Sequence, residues 1–432
     1  MTDPTTNDWW LREKQRRLMR VLLFLLFMLM LIFYFYYVNQ QGRTGIVSGI
    51  NFDTTNYVAF VRQESDGNTK LFAISADGSS LQQLTNSADH SNKATPAWTA
   101  DGKAIIYASN LKDERVTQLY ILGSGLPRQL TYGSGNKFSP SVSSNGKYVA
   151  FLSQGAVKTA TVTGDNVVQV LPPPRAGNEG SGDATIAGSI DPEGPFEAVS
   201  FSSDGDSLAG VQDIANMVGT NGQPTQVDKL ASVLLPGQPH VTVLDVGNEV
   251  FLSWEPNGAR IACSFTGLET EISPGKTTIL SGINLWSIKD GKGTPQNLFR
   301  VVGAGLEPRN LAWSPNGSKI AFEGWLVKGA DNKEVVGIAA LNVVQILNQA
   351  KTGVQIDSSQ AAQMDYLIPA SGAGKPSHPK WSPDGGRLVY IMTRADGKRD
   401  LWIINSDGTN PINLTKGVGD NFDPCWSTAK PK

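Results

Sequence analysis

The feature that most constrains this chain is a unit that recurs along it: an aromatic residue, a tight reversal and an apolar strand. The fullest copy is Pro379-Lys380-Trp381-Ser382-Pro383-Asp384-Gly385-Gly386-Arg387-Leu388-Val389-Tyr390. Earlier copies place Trp98-Thr99-Ala100-Asp101-Gly102 before Ile105-Ile106-Tyr107, and Val142-Ser143-Ser144-Asn145-Gly146 before Tyr148-Val149-Ala150-Phe151; others begin at Phe201, Trp254 and Trp313. In each, a Ser, Thr or Glu precedes a small residue or Pro, then Asp or Asn, then Gly. Asp or Asn bonds back to the backbone and Gly takes positive φ without a Cβ clash, so each copy predicts a β-hairpin.

One further copy decides the architecture. Phe422-Asp423-Pro424-Cys425-Trp426-Ser427 begins the unit but has no second strand after it, whereas Tyr57-Val58-Ala59-Phe60-Val61 has the post-turn pattern with no aromatic before it. Pairing the two closes a ring, and counting the split copy gives seven units. Two more strands follow in each, as in Leu401-Trp402-Ile403-Ile404 and Ile412-Asn413-Leu414-Thr415 of the seventh. Four strands per unit, repeated at roughly 45 to 65 residues, make propeller blades. The expected fold is therefore all-β: a seven-bladed β-propeller over residues 57–432, closed by pairing of N- and C-terminal strands. A Gly-rich, Pro-containing composition suits it.

The middle units are looser. Lys158 to Val162 and Val167 to Leu171 are read as outer strands of the third, Lys229 to Leu235 and Val241 to Val246 as those of the fourth. Insertions fall at Pro172 to Gly194, Asp213 to Asp228 and Val343 to Gln363, the last opening with a possible helical turn at Val343 to Leu347. Such loops are usually tolerated decoration, and they are the alternative partner-binding surface.

Ahead of the ring, Val21 to Val38 is an uninterrupted apolar run. As a helix it spans about 27 Å, the thickness of a bilayer core, and it is longer than the apolar part of a secretory signal. Neither a small-residue cleavage site nor a lipid-acceptor cysteine follows in Asn39-Gln40-Gln41-Gly42-Arg43. The expectation is a single transmembrane helix over residues 21–38, an uncleaved anchor. Arg12, Lys14, Arg16, Arg17 and Arg20 precede it and only Arg43 follows closely, so residues 1–20 should be cytoplasmic and the propeller extracytoplasmic, in the periplasm or at the cell surface. Residues 39–56, rich in Gly, Thr, Ser and Asn, read as a linker of at most about 60 Å.

The unit Pro-x-Trp-Ser-Pro-Asp-Gly, an apolar strand, Leu-Tyr or Leu-Trp, Asp-Gly and Leu-Thr resembles the WD-like propeller repeat of the TolB family, exported components of the bacterial envelope. Trp381 to Thr415 matches best and Ala97 to Thr131 next. The resemblance covers most of residues 57–428 and implies a propeller that binds other proteins. TolB-type chains resemble one another in carrying a cleaved signal and an α/β domain before the propeller; an anchor and a linker stand there instead. A role in the Tol–Pal system is therefore not carried over.

Catalytic chemistry has little to draw on. No G-x-S-x-G elbow is present, and the histidines are His90, His240 and His378 alone, the first in a polar loop and the second opening a strand. Asp66, Asp77, Asp101, Asp204, Asp290, Asp384, Asp396 and Asp407 precede Gly, but none lies in a D-x-D-x-D-G calcium loop, so they read as turn formers. Gly-rich pieces such as Gly123-Ser124-Gly125 lack the Lys and helix of a phosphate loop. No cofactor or metal is expected. The net charge of −2 and the lack of a long basic, aromatic-interleaved run give no reason to expect nucleic acid. Cys263 and Cys425 fall in blades well apart and are not expected to pair.

The candidate site comes from geometry. Three residues before each aromatic, the start of the innermost strand should approach one mouth of the central channel: Thr95, Ser139, Ala198, Phe251, Asn310, His378 and Asp423. The polar members Thr95, Ser139, Asn310, His378 and Asp423 are the expected partner-binding residues, with Asp423 holding His378 protonated near neutral pH. The function expected is a membrane-anchored module that binds protein partners or scaffolds a membrane complex, not an enzyme. The alternative is a hydrolase or lyase working at the channel mouth.

Overall fold

In the computed structural model, the described residues are 13–21, 28–30, 49–86, 91–112, 115–171, 195–214, 228–234, 241–256, 258, 260–288, 296–302, 307–328, 334–350, 364–369 and 374–429. The chain divides into two units. The first, Met1–Val47 with Asn86–Ala88, contributes helical residues 13–21 and 28–30. The expected span at residues 21–38 lies outside the described residues apart from 21 and 28–30, and among the described residues no helix is long and apolar enough to cross a membrane.

The second unit, Ser48–Thr85 with Asp89–Lys432, holds seven four-stranded antiparallel sheets. Their innermost strands are Asp420–Trp426 in blade 1, Lys93–Trp98, Lys137–Val142, Phe196–Phe201, Glu249–Trp254, Arg309–Trp313 and Lys375–Trp381 in blades 2 to 7. Blade 1 is the composite one. Its innermost strand pairs with Tyr57–Gln63 (Val58 opposite Trp426, Val61 opposite Phe422), which joins the two ends of the ring. In the looser blades the outer strands are Ala156–Thr161 and Val168–Leu171 in blade 3, and Asp228–Leu234 and Val241–Gly247 in blade 4; a helix, Val343–Ala350, follows the third strand of blade 6.

The recurring turn is locked by its own side chains. In blade 7, Gly385 N–H donates to Ser382 O (2.8 Å) while Asp384 Oδ1 accepts from Ser382 Oγ (2.5 Å) and Gly386 N–H (3.0 Å), with Gly385 at φ 71°. Thr99 with Asp101, Ser143 with Asn145, Ser202 with Asp204 and Ser314 with Asn316 repeat it. In blade 5 Glu255 takes the hydroxyl residue's place and pairs with Arg260 instead. These donors hold the carboxyl of Asp384 below the usual carboxylate range, as Thr409 does that of Asp407 in a later turn. The Asp-Gly pairs among the described residues are thus engaged as turn formers, and Asp290 lies outside those residues.

There is no central core. Among the described residues the buried apolar side chains fall into seven clusters, one straddling each seam between neighbouring blades. The motif Trp crosses that seam. Its indole N–H donates to the carbonyl of the residue just before the aromatic of the preceding blade: Trp98 to Cys425 (3.3 Å), Trp254 to Ser200 (3.3 Å), Trp313 to Ser253 (3.0 Å), Trp381 to Ala312 (2.9 Å) and Trp426 to Lys380 (3.0 Å). Val142 and Phe201, in blades 3 and 4, have no such donor.

The expected linker shortens. Residues 39–48 lie outside the described residues, but Ile50 is buried in the cluster between blades 1 and 2, its N–H donates to Gly123 O (2.7 Å), and Thr54 Oγ1 donates to Gly102 O (2.8 Å). Apolar Ile50 and Phe52 have somewhere to go, so the stretch 49–56 packs on the propeller rather than serving as a tether.

Candidate functional site at the channel mouth

The innermost strand of each blade carries its motif residue, an aromatic or in blade 3 Val142, next to the recurring turn, and its first residues at the opposite end. Three residues before the aromatic, Thr95, Ser139, Asn310, His378 and Asp423 share one backbone conformation, with φ of 46°, 51°, 50°, 53° and 51°. Each lies in a register shift against the second strand, between Ala94 and Ala97, Phe138 and Ser141, Arg309 and Ala312, Ser377 and Lys380, and Phe422 and Cys425. These are β-bulges, which leave a residue unpaired and re-aim its side chain. Asn, Asp and His visit this left-handed region more readily than other side chains, while a β-branched Thr there is a strained outlier.

Ala198 and Phe251 do not share the conformation. Blade 5 pairs in unbroken register from Glu249 to Trp254, and the shift in blade 4 falls between Phe196 and Ala198. Neither Ala nor Phe has a short polar group that could compensate the left-handed backbone.

The bulges are linked across seams. Thr95 N–H donates to Asp423 Oδ2 (3.0 Å) and Ser139 N–H to Thr95 Oγ1 (3.3 Å), which joins blades 1, 2 and 3. On the other side, Glu323 of the second strand of blade 6 accepts His378 N–H at Oε2 (2.6 Å) and Asn310 Nδ2–H at Oε1 (2.9 Å). Asp420 closes the arc, accepting Arg399 Nε and Nη2 at 2.9 and 2.6 Å.

His378 behaves contrary to expectation. Its Nδ1 is 3.8 Å from Glu323 Oε2, and about half of its side chain (51%) stays open to solvent. Burial nevertheless pushes its pKa below the ordinary 6.5; Glu323 and Asp423 pull it up, Lys380 and Arg399 push it further down, and the balance is downward. The shift favours the neutral imidazole. Desolvation together with Lys380 and Arg399 outweighs the pull of Glu323 and Asp423.

Two residues deeper lies a second ring that sequence reasoning passed over: Ala97, Ser141, Ser200, Ser253, Ala312, Lys380 and Cys425. Ser141 Oγ accepts Phe201 N–H (3.1 Å) and Ser253 Oγ accepts Trp313 N–H (3.3 Å). Lys380 alone is charged. Burial pushes its ammonium below the ordinary value although the side chain is exposed, and it feels Cys425, Glu323 and Asp423, from the blades on both sides of its own. Neighbouring blades cover both faces of blade 7, so the solvent that reaches Lys380 is that of the channel. The Cys425 thiol is pushed up to about 12, by burial first and by Asp423, and neither cysteine is in a disulfide. Glu323 was also missed, because it sits on a second strand outside the repeat pattern. The oddity of Lys380 was readable as the one charge at a position otherwise occupied by Ala, Ser or Cys.

No family model matches the chain, and a search of curated proteins finds no match. Among solved structures, the TolB of Acinetobacter baumannii is similar at 16% identity and a TM-score of 0.45, over 87% of this chain and 67% of that one. An oligogalacturonate lyase of Vibrio parahaemolyticus is similar at 13% identity and a TM-score of 0.50, over 85% and 86%. A Mycobacterium tuberculosis puromycin-hydrolysing peptidase is similar at 12% identity and 0.51, over 83% of this chain and 51% of that one, so the likeness spans about half the peptidase. At these identities the likeness is one of fold.

Proposed function

We propose that this protein is a membrane-anchored, extracytoplasmic binding propeller that takes an extended segment of a protein partner at the bulged mouth of its channel. The observation that carries the reading is the set of five non-glycine residues held at φ near 50° at equivalent positions of five blades. Each costs about 1–3 kcal/mol, and strain of that kind gathers where a surface must present polar groups in a fixed array. The array is polar and nearly balanced in charge, which suits the N–H and C=O groups of an extended chain. The TolB-type repeat supports a protein partner, one subunit or several of a membrane complex. The apolar run at residues 21–38 and the basic residues before it support the anchor and the cytoplasmic N-terminus.

A binding role is favoured over catalysis by the state of the polar groups. The carboxylate nearest His378, Glu323, already accepts two hydrogen bonds from blades 6 and 7, and Asp423 accepts one from blade 2.

The test replaces His378 and Asp423 by Asn, which keeps the left-handed backbone where Ala would strain it. Affinity capture from solubilised membranes with His378→Asn/Asp423→Asn should recover less of the partners bound by the wild type. Recovery of the same partners at the same yield makes the mouth a mere channel end and moves the search to the inserted loops. For the anchor, protease outside right-side-out vesicles should digest the propeller and spare residues 1–20; a mature chain beginning after Val38 sinks it.

A further inference from the structure

Lys380 is the residue at this mouth that the fold does not use. The ammoniums of Lys93 and Lys137, at the starts of the innermost strands of blades 2 and 3, are wrapped by the protein: Lys93 Nζ donates to Ser91 O and Oγ (both 2.7 Å), and Lys137 Nζ to the carbonyls of Gly133, Ser134 and Gly135 (3.1, 2.9 and 2.7 Å). Lys380 Nζ has no hydrogen bond and no ion pair among the described residues. The carboxylates within its electrostatic reach hold other donors, Glu323 those of His378 and Asn310 and Asp423 that of Thr95, and neither forms an ion pair with Lys380 among the described residues. Its equivalents in the other blades are Ala97, Ser141, Ser200, Ser253, Ala312 and Cys425, none of which fills the channel at that level with a long side chain. A chain entering past His378 and Asp423 therefore meets small residues and one cation without a hydrogen-bond partner among the described residues.

We propose that Lys380 receives a carboxylate carried by the docked segment, either its terminal carboxylate or an Asp or Glu side chain. This rests on the mouth being a docking site and adds the chemistry of what is docked. An ammonium in partly desolvated surroundings lacks some of the water that would otherwise solvate it, so an incoming anion replaces lost solvation instead of competing with full hydration. The neighbouring neutral His378 adds no rival cation. The Ser141 and Ser253 hydroxyls already accept seam amides, so their protons remain available to donate to an acceptor in the channel.

The experiment uses the full chain in detergent and three octapeptides of one Ser/Thr/Ala sequence, each labelled at its amino terminus with an uncharged BODIPY dye: free carboxyl terminus, amidated terminus, and amidated terminus with a central Asp. Fluorescence anisotropy should show one or both carboxylate-bearing peptides binding about tenfold or more tightly than the neutral one, the scale of a charge-assisted hydrogen bond. Which of the two does so identifies the source of the carboxylate. Lys380→Met should remove the preference and leave the neutral peptide's affinity; Lys380→Arg should retain it. Should Lys380→Met fail to fold, the wild-type preference must still fade as pH rises through the lowered ammonium pKa, with the neutral peptide's binding unchanged. Equal binding of all three peptides, or a preference that survives Lys380→Met or high pH, overturns the role of Lys380 while the docking mouth stands. No binding of any peptide overturns both.

Discussion

Replacing Trp381 by Phe tests the idea that the ring is held by its seams. The indole of Trp381 is buried between blades 6 and 7, and its N–H donates to Ala312 O at 2.9 Å with neither partner open to water. Phe keeps most of the apolar contact but cannot donate. Leaving a buried carbonyl unpaired costs about 1–3 kcal/mol, and the space vacated by the smaller ring adds about 1 kcal/mol. A total of roughly 2–4 kcal/mol is a sizeable part of a stability of about 5–15 kcal/mol. With a urea m-value of about 3 kcal/mol/M, the unfolding midpoint should fall by about 1 M at constant m. Trp402 is the control in the same blade, because its buried indole N–H has no hydrogen-bond partner among the described residues. Trp402→Phe loses ring volume but no bond and relieves an unsatisfied donor, so its midpoint should move far less. Urea titrations followed by circular dichroism compare the two. Equal shifts would show that the indole bond across the seam contributes nothing beyond volume, and the account of why the motif carries Trp would be wrong.

The remaining expectations concern closure, turns and pH. Deleting Asp420–Lys432 removes the strand that joins the ends of the ring together with Trp426, whose loss alone costs about 3–5 kcal/mol; a truncated protein melting like the intact one would contradict the closed ring. Gly102→Ala places a Cβ 2.6 Å from Ala429 N at φ +67°, whereas at Gly67 (φ +83°) nothing lies within 4 Å. Thermal unfolding should therefore show Gly67→Ala paying only the left-handed backbone cost, about 1–2 kcal/mol, and Gly102→Ala that cost plus displacement of the C-terminal tail. The hydrogen bond from Arg399 holds Asp420 below its ordinary 3.8, so its contribution to stability is present above that value and is lost as pH falls through the lowered pKa; Asp420→Asn should flatten the acid limb of a stability–pH curve. The folded-state pKa of His378 lies below 6.5, so the unfolded chain takes its proton first as the solution is acidified: stability from the neutral imidazole is full above about 6.5 and falls below it, and His378→Asn should remove that slope.

The blades were legible in the sequence because their information is local. The turn takes a Ser, Thr or Glu, an Asp or Asn and a Gly at fixed spacing, and the paired halves Tyr57–Val61 and Phe422–Trp426 each carry half of the pattern, so the count of seven and the closure could be read from residues alone. What could not be read is what crosses a seam. That the indole of Trp381 binds Ala312 O depends on which blade stands beside which, and Glu323, off the repeat pattern, becomes part of the mouth only because blades 6 and 7 bring it to His378. The protonation of His378 was misjudged for the same reason. Proximity to Asp423 was foreseeable, whereas the desolvation that outweighs it, and the push of Lys380 and Arg399, arise only in the folded ring.

The two rings of the channel divide the work between backbone and side chain. At the upper ring the bulges turn amides across the seams, so Thr95, Asp423 and Glu323 spend their polar atoms tying blades 1 to 3 and 6 to 7 together. Blades 4 and 5, with Ala198 and Phe251 at that level, lack the left-handed residue. The mouth is therefore uneven: left-handed polar residues stand around blades 6, 7, 1, 2 and 3, and Ala198 and Phe251 take the equivalent positions on the remaining side. A segment lying across such a mouth has a preferred side on which its backbone finds polar groups, and that side is the one bearing Lys380. The unevenness of the upper ring and the single cation of the lower one thus favour the same orientation, although they arise at different positions of the repeat.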